Sequence, residues 1–184
     1  MTYTTNDNIT ILRSSMLTDW NNADVKLAFK APENQTYTYN SWAPELHYFE
    51  RHRKWYIIYT ANVDPDSPSP MQDMLCDFNC PAVNHRMFVL ESSSDDPWDS
   101  TYTMKSELDT YDQFAIDGTY LTVSDKLYHV YSCWYTNQTS WPAMLCISES
   151  KFARLQQQRA EKNKQCRLCS SSSLCLVTDK LNSV

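Results

Sequence analysis

Carboxylates, aromatic rings and cysteines are the side chains of this 184-residue sequence whose spacing could do chemistry. Asp117 lies in Ala-Ile-Asp-Gly-Thr and Glu45 in Trp-Ala-Pro-Glu, each three residues after an aromatic ring, Phe114 and Trp42. Carboxylates on separate elements suit general acid–base work, because their environments can hold one ionised and the other protonated. Rings beside them suit the face of a sugar as well as a core. Each residue also has a plainer reading. Asp-Gly is a strong turn signal, so Asp117 can be a turn residue. Glu45 reads equally as a structural carboxylate of an inner strand. Asn84 and His85 open another apolar run, and a histidine there is more often structural than catalytic. Ser132 and Trp134 close a further run, but nothing around Ser132 makes a Ser-His-Asp case.

The seven cysteines fall into two groups. Cys133 and Cys146 flank a connection containing Pro and Asn and could face each other on neighbouring strands. Cys76 and Cys80 could close a small loop. Two disulfides in an oxidising compartment are expected on that reading. Cys166-x-x-Cys169 resembles half a zinc site, but the tail has no His and no second pair, so no metal and no cofactor is expected.

Charge narrows the partners. Residues 1–150 hold 9 Lys/Arg against 20 Asp/Glu, while 151–184 hold 7 against 2. The acidic main body argues against nucleic acid. No apolar run approaches the roughly 18–20 residues of a membrane span, so no membrane partner is expected. Met1-Thr-Tyr-Thr-Thr is no signal peptide. Three glycosylation triplets, Asn8-Ile-Thr10, Asn34-Gln-Thr36 and Asn137-Gln-Thr139, nonetheless point mildly to secretion.

The elements that must position these groups repeat. Lys54-Trp-Tyr-Ile-Ile-Tyr-Thr60 matches Lys126-Leu-Tyr-His-Val-Tyr-Ser132 at an offset of 72. Carried backwards, that offset pairs Trp42 with Phe114, Glu45 with Asp117 and Tyr48 with Tyr120. Met87-Phe-Val-Leu-Glu-Ser-Ser93, Met144-Leu-Cys-Ile-Ser-Glu-Ser150 and Ile9-Thr-Ile-Leu-Arg-Ser-Ser15 form a second repeated strand, and Tyr3-Thr-Thr-Asn6 echoes Tyr59-Thr-Ala-Asn62. Val25–Phe29 and Tyr102–Lys105 read as fourth strands. β-Branched and aromatic residues between turn-formers argue for strands throughout. With one glycine, Gly118, the chain must turn on Asn, Asp, Ser and Pro. Four strands per unit at this spacing is the pattern of a β-propeller, whose blades need a neighbour on each face. The count is a first unit starting near its second strand, a complete second, and three strands of a third. Residues 151–184 change to a polar, Ser- and Cys-rich composition and are expected to be a disordered or weakly helical tail.

Trp42-Ala-Pro-Glu-Leu-His-Tyr, Lys54-Trp-Tyr-Ile-Ile-Tyr, His85-Arg-Met-Phe-Val-Leu-Glu-Ser, Tyr111-Asp-Gln-Phe-Ala-Ile-Asp-Gly-Thr119 and Tyr131-Ser-Cys-Trp134 together resemble glycoside hydrolase family 43. Fungal extracellular arabinofuranosidases, within the arabinanase and β-xylosidase group, look most similar. The resemblance runs from about Thr2 to Ser148. It implies an all-β fold, a partial five-bladed β-propeller of about two and a half blades over 1–150. It also implies an extracellular enzyme, a monomer, acting on arabinan- or arabinoxylan-type oligosaccharide or polysaccharide with inversion. Asp117 matches the family's third carboxylate, which tunes the pKa of the catalytic acid. Trp42, Asn84, His85, Phe114, Ser132 and Trp134 would border the sugar. The family's channel metal is left open.

The sequence departs from that pattern in two places. The family's base, an Asp on the first strand of the first blade, would precede Met1. Its acid lies in Glu-Gly-Pro, a motif the chain does not contain, and Glu149 and Glu161 stand in other contexts. The chain is therefore expected to be an incomplete piece of such a hydrolase, without hydrolytic activity as given and complete only in a fuller gene product; the alternative is a non-catalytic carbohydrate-binding or structural propeller fragment.

Overall fold

The computed structural model describes residues 1–5, 8–62, 85–111, 113–124, 126–133 and 144–150. Cys76, Cys80, Asn84, Trp134 and everything expected of residues 151–184 lie outside them. The described residues form ten strands and no helix. They are β1 (Thr2–Thr5), β2 (Asn8–Arg13), β3 (Asp24–Lys30), β4 (Tyr39–Phe49), β5 (Lys54–Asn62), β6 (His85–Ser92), β7 (Tyr102–Glu107), β8 (Ala115–Val123), β9 (Lys126–Cys133) and β10 (Met144–Glu149). All pair antiparallel, in three sheets ordered β1-β2-β3, β4-β5-β6-β7 and β8-β9-β10. Within residues 1–150 this is an all-β, three-sheet architecture consistent with part of a propeller.

The middle sheet explains why β5 and β6 read as unbroken apolar runs. Side chains alternate across a strand, so a strand covered on both faces must be apolar at both parities. On one face Ile57, Tyr59, Ala61, Phe88 and Leu90 pack with Ile9 and Ile11 of the first sheet. On the other face Ile58 and Met87 approach Gly118 of the third sheet. Both sets are essentially inaccessible to water. The outer sheets differ. Val25 and Leu27 on the first, and Leu121, Val123, Leu145 and Ile147 on the third, are exposed, Leu145 at 77%.

The repeat is real, but its spacing changes inside one hairpin. Trp42 pairs with Thr60, Glu45 with Ile58, Leu46 with Ile57 and Phe49 with Lys54. Their counterparts are Ile116 with Ser132, Thr119 with Val130, Tyr120 with His129 and Val123 with Lys126. The β9 residues keep the offset of 72, whereas the β8 residues stand 74 beyond their β4 equivalents. The cause is loop length: four residues, 50–53, join β4 to β5, and only two, 124–125, join β8 to β9. Asp117 therefore corresponds to Ala43 and not to Glu45, Ile116 and not Phe114 corresponds to Trp42, and Tyr120 corresponds to Leu46. The backbone agrees, since Ala43 and Asp117 both adopt positive φ, 44° and 52°.

Turn chemistry follows the glycine shortage. Asn34, Arg53 and Ser124 take left-handed conformations at loop tips, and Gly118 takes none. Gly118 is needed for space. A Cβ there would lie 2.5 Å from Met87 Cε and 2.6 Å from His129 Nε2.

Cys133 and Cys146 form a disulfide between β9 and β10, with Cα atoms 5.9 Å apart. It closes a short loop and restricts the unfolded chain more than the folded one. Cys133→Ala with Cys146→Ala is expected to lower stability by roughly 2 kcal/mol, read as a lower urea midpoint, with the m-value rising as the unfolded chain is released.

Candidate functional site

The candidate residues depend on the early half of each inner strand. β8 runs alongside β4 in the same direction: Gly118 lies against Ile58, the partner of Glu45. Further on, Tyr120 meets His47 and Phe49 edge-on, with ring centres 5.3 Å apart in each pair. The starts of β4 and β8 thus share one end, together with the end of β5 and the start of β6.

At that end Trp42 and His85 come together. Their rings stack with centres 3.9 Å apart and planes 25° apart. His85 is fully buried and Trp42 partly exposed. One ring face is therefore occupied by the imidazole, which fixes the orientation of the other. His85 stands opposite Asn62 in the ladder, and the Arg86 guanidinium donates to the His85 carbonyl at 3.0 Å. Thr60, Asn62, His85 and Arg86 make this the polar end of otherwise apolar strands. Ser41 is buried beside them, and its Oγ has no hydrogen-bond partner among the described residues. Buried polar groups are costly unless satisfied, so their gathering at one strand end marks a place where polarity is used. Asn62 was legible only as half of the Tyr-Thr-x-Asn echo. Ser41 and Arg86 carried no signal.

Asp117 is not in a turn. It occupies a β-bulge within β8, where the register shifts between Ile116 and Thr119. A bulge bends the strand and re-aims a side chain, and aspartate tolerates the left-handed conformation better than most residues. The Asp117 side chain is exposed. Among the described residues its carboxylate has no hydrogen-bond or ion-pair partner. Glu45, by contrast, is paired with His47 Nε2 at 2.8 Å.

The other candidates are more scattered. Phe114 is buried immediately before β8. Ser132 pairs with Ile116 on the face of the third sheet turned away from the middle sheet, so it does not join Trp42 and His85. Asn84 and Trp134 lie outside the described residues.

Two further clusters are structural. Glu91 accepts from Tyr56 at 2.8 Å and pairs with Lys54 and Lys105 at 3.2 and 3.0 Å. Burial pushes its pKa up, but the hydrogen bonds from Lys105, Tyr56 and Lys54 outweigh this and hold it below the usual range. A shallow pocket of about 460 Å³ at the β2–β3 connection is lined by Arg13, Asp19, Asn22 and Asp24, whose charges and amide already pair with one another. Among the described residues no three His, Cys, Asp or Glu side chains gather as a metal cluster.

The model of one protein family, Glycosyl hydrolases family 43, matches residues 1–170. No curated protein matches the chain. Among solved structures the chain is similar to the alpha-L-arabinofuranosidase from Lactobacillus brevis, with a TM-score of 0.61 and 26% identity. That similarity covers 78% of this chain and 42% of the other, so the chain spans less than half the length of the protein it resembles.

Proposed function

Because the chain belongs to glycosyl hydrolases family 43, we propose that it carries the sugar-recognising part of an α-L-arabinofuranosidase-type site. Its ligand is the arabinose-containing chain of a plant polysaccharide, met outside the cell, on a fold that the family builds from five blades. The observation that carries this reading is the Asp117 carboxylate. It is exposed at a bulge of the inner strand β8, without a partner among the described residues, at the end where Trp42 and His85 stack.

Inverting hydrolysis needs a base that activates water and an acid that protonates the leaving oxygen, roughly 6.5–9.5 Å apart. A third carboxylate near the acid keeps it protonated, since a neighbouring negative charge disfavours ionisation. Asp117 takes that third role. The free face of Trp42 stacks on the sugar ring, with His85 as its backing. Phe114, Asn84 and Trp134 are assigned to the surroundings of the sugar by family motif, and Ser132, on the other face of the third sheet, is left out of them. The 184 residues contain no Glu-Gly-Pro and no carboxylate in the setting of the family's base. We therefore assign this chain binding without hydrolysis by itself.

Titration with arabino-oligosaccharides, followed by tryptophan fluorescence, tests the first half. Saturable binding is expected, weakened roughly tenfold in Trp42→Ala by loss of the stacking ring. Absence of saturation sinks the reading. Release of nitrophenol from an aryl α-L-arabinofuranoside tests the second half. Turnover by this chain that falls in Asp117→Asn would show that acid and base are present after all.

A further inference from the structure

We propose that Asn34 is an N-glycosylation site and that the identical pattern at Asn8 is not. This places a glycan on the connection between β3 and β4, and it rests on the extracellular reading above. The pattern Asn-x-Thr alone cannot choose between them, but the surroundings of each asparagine do.

Asn8 opens β2 and is paired on both sides, with Thr5 of β1 and Lys30 of β3. Its Oδ1 is buried and has no partner among the described residues. Ile9 is 0% exposed and Thr10 is 6% exposed. Asn8 is thus half-buried in a strand paired on both sides, and an oligosaccharide on its amide would have to displace the packing that covers Oδ1.

Asn34, Gln35 and Thr36 are all exposed. Asn34 holds φ at 61°, a conformation in which asparagine is among the best-tolerated residues. Its Oδ1 accepts from the Tyr39 hydroxyl at 3.4 Å, and its backbone N–H donates to the Tyr39 hydroxyl oxygen at 3.3 Å. The Nδ2 makes no hydrogen bond among the described residues. The base of the loop is fixed independently. Thr38 Oγ1 donates to the Pro32 carbonyl at 2.6 Å and accepts from the Gln35 N–H at 3.2 Å. Tyr37 packs near Phe29 and Phe88, with ring centres 6.4 and 6.0 Å away. A glycan at the tip therefore extends into water without moving the core.

The modification is a group transfer from an oligosaccharyl diphosphate donor. The Asn34 Nδ2 forms a bond to the anomeric carbon, and the bond from that carbon to the diphosphate oxygen breaks. The diphosphate leaves with the electron pair, one amide proton passes to a base, and nothing is oxidised or reduced.

The full chain is expressed behind a cleavable secretory leader in a eukaryotic host, which makes the result independent of its natural route and of its sugar-binding activity. Enzymatic deglycosylation in heavy-oxygen water then marks each occupied asparagine for peptide mass spectrometry. Occupancy is expected at Asn34 and none at Asn8. Thr36→Ala is expected to empty Asn34, and Thr36→Ser to keep it occupied. An unoccupied Asn34 in the secreted chain, occupancy of Asn8, or indifference to Thr36→Ala would each overturn the proposal.

Discussion

Gly118→Val is expected to lower the stability of the domain by about 3 kcal/mol, a large part of the roughly 5–15 kcal/mol typical of a domain. The first added carbon would stand 2.5 Å from Met87 Cε and 2.6 Å from His129 Nε2, with Ile58 Cδ1 at 3.3 Å. Met87 ends in a flexible methyl and can swing. His129 has less freedom, because its ring lies against Tyr131 with centres 4.6 Å apart and planes 19° apart. Gly118 does not adopt positive φ, so the penalty is one of space and not of backbone conformation. Gly118→Ala should cost about 1–2 kcal/mol on the same grounds. Combining Gly118→Ala with Met87→Ala should cost less than the sum of the two, because the truncation opens the space that the insertion needs. Urea denaturation of the native chain, the two single variants and the double variant measures this. Strict additivity would show that the contact between the sheets is not what limits residue 118.

Acid weakens the same seam through His129. The imidazole is 2% exposed, and both its nitrogens are buried without hydrogen-bond partners among the described residues. Burial pushes its pKa down to about 4 from the ordinary 6.5, with no neighbouring charge to offset the effect. The folded state therefore binds its proton only at lower pH than the unfolded chain does. Stability is full above about pH 6.5 and is lost progressively as pH falls towards 4. A tenfold difference in proton affinity between the folded and unfolded states corresponds to about 1.4 kcal/mol, so the full loss is on the order of 3 kcal/mol. Urea midpoints between pH 7 and 4.5 should fall in the native chain. In His129→Ile, which installs the residue that the corresponding position of the middle sheet carries (Ile57), they should be nearly flat. His52 acts in the same direction, because burial lowers its pKa more than Glu91 raises it. Glu91, held low, adds its own loss only as pH falls through the carboxylate range. A residual slope in the variant belongs to these groups. A native midpoint that does not move between pH 7 and 4.5 would remove His129 as the cause.

Both predictions concern a seam whose parts were visible in the sequence while their relation was not. Leu46 and Ile57 face the first sheet, and Tyr120 and His129 occupy the corresponding pair of the next unit. At a fixed offset of 72, His129 falls on Ile57, as it does in the ladder, but Tyr120 falls on Tyr48 and not on Leu46, because the second hairpin turns in two residues where the first takes four. For the same reason Glu45 and Asp117 looked equivalent. The structure pairs one with His47 and leaves the other exposed on a bulge.

Strand identity, the apolar runs of β5 and β6, the antiparallel grouping and the juxtaposition of Cys133 with Cys146 were determined by the sequence itself. These depend on residues close in the chain, where alternation, β-branching and turn-formers act directly. The family resemblance was also legible, because its motifs lie on single strands. Only the tertiary structure decided that Gly118 serves packing and not a turn, that His129 is buried without a partner among the described residues, and that His85 backs Trp42. It also decided that Asn34, and not Asn8, stands in water. Each of these depends on what a neighbouring sheet or strand places opposite the residue. Steric room, desolvation and exposure belong to that meeting of elements and leave no local pattern to read.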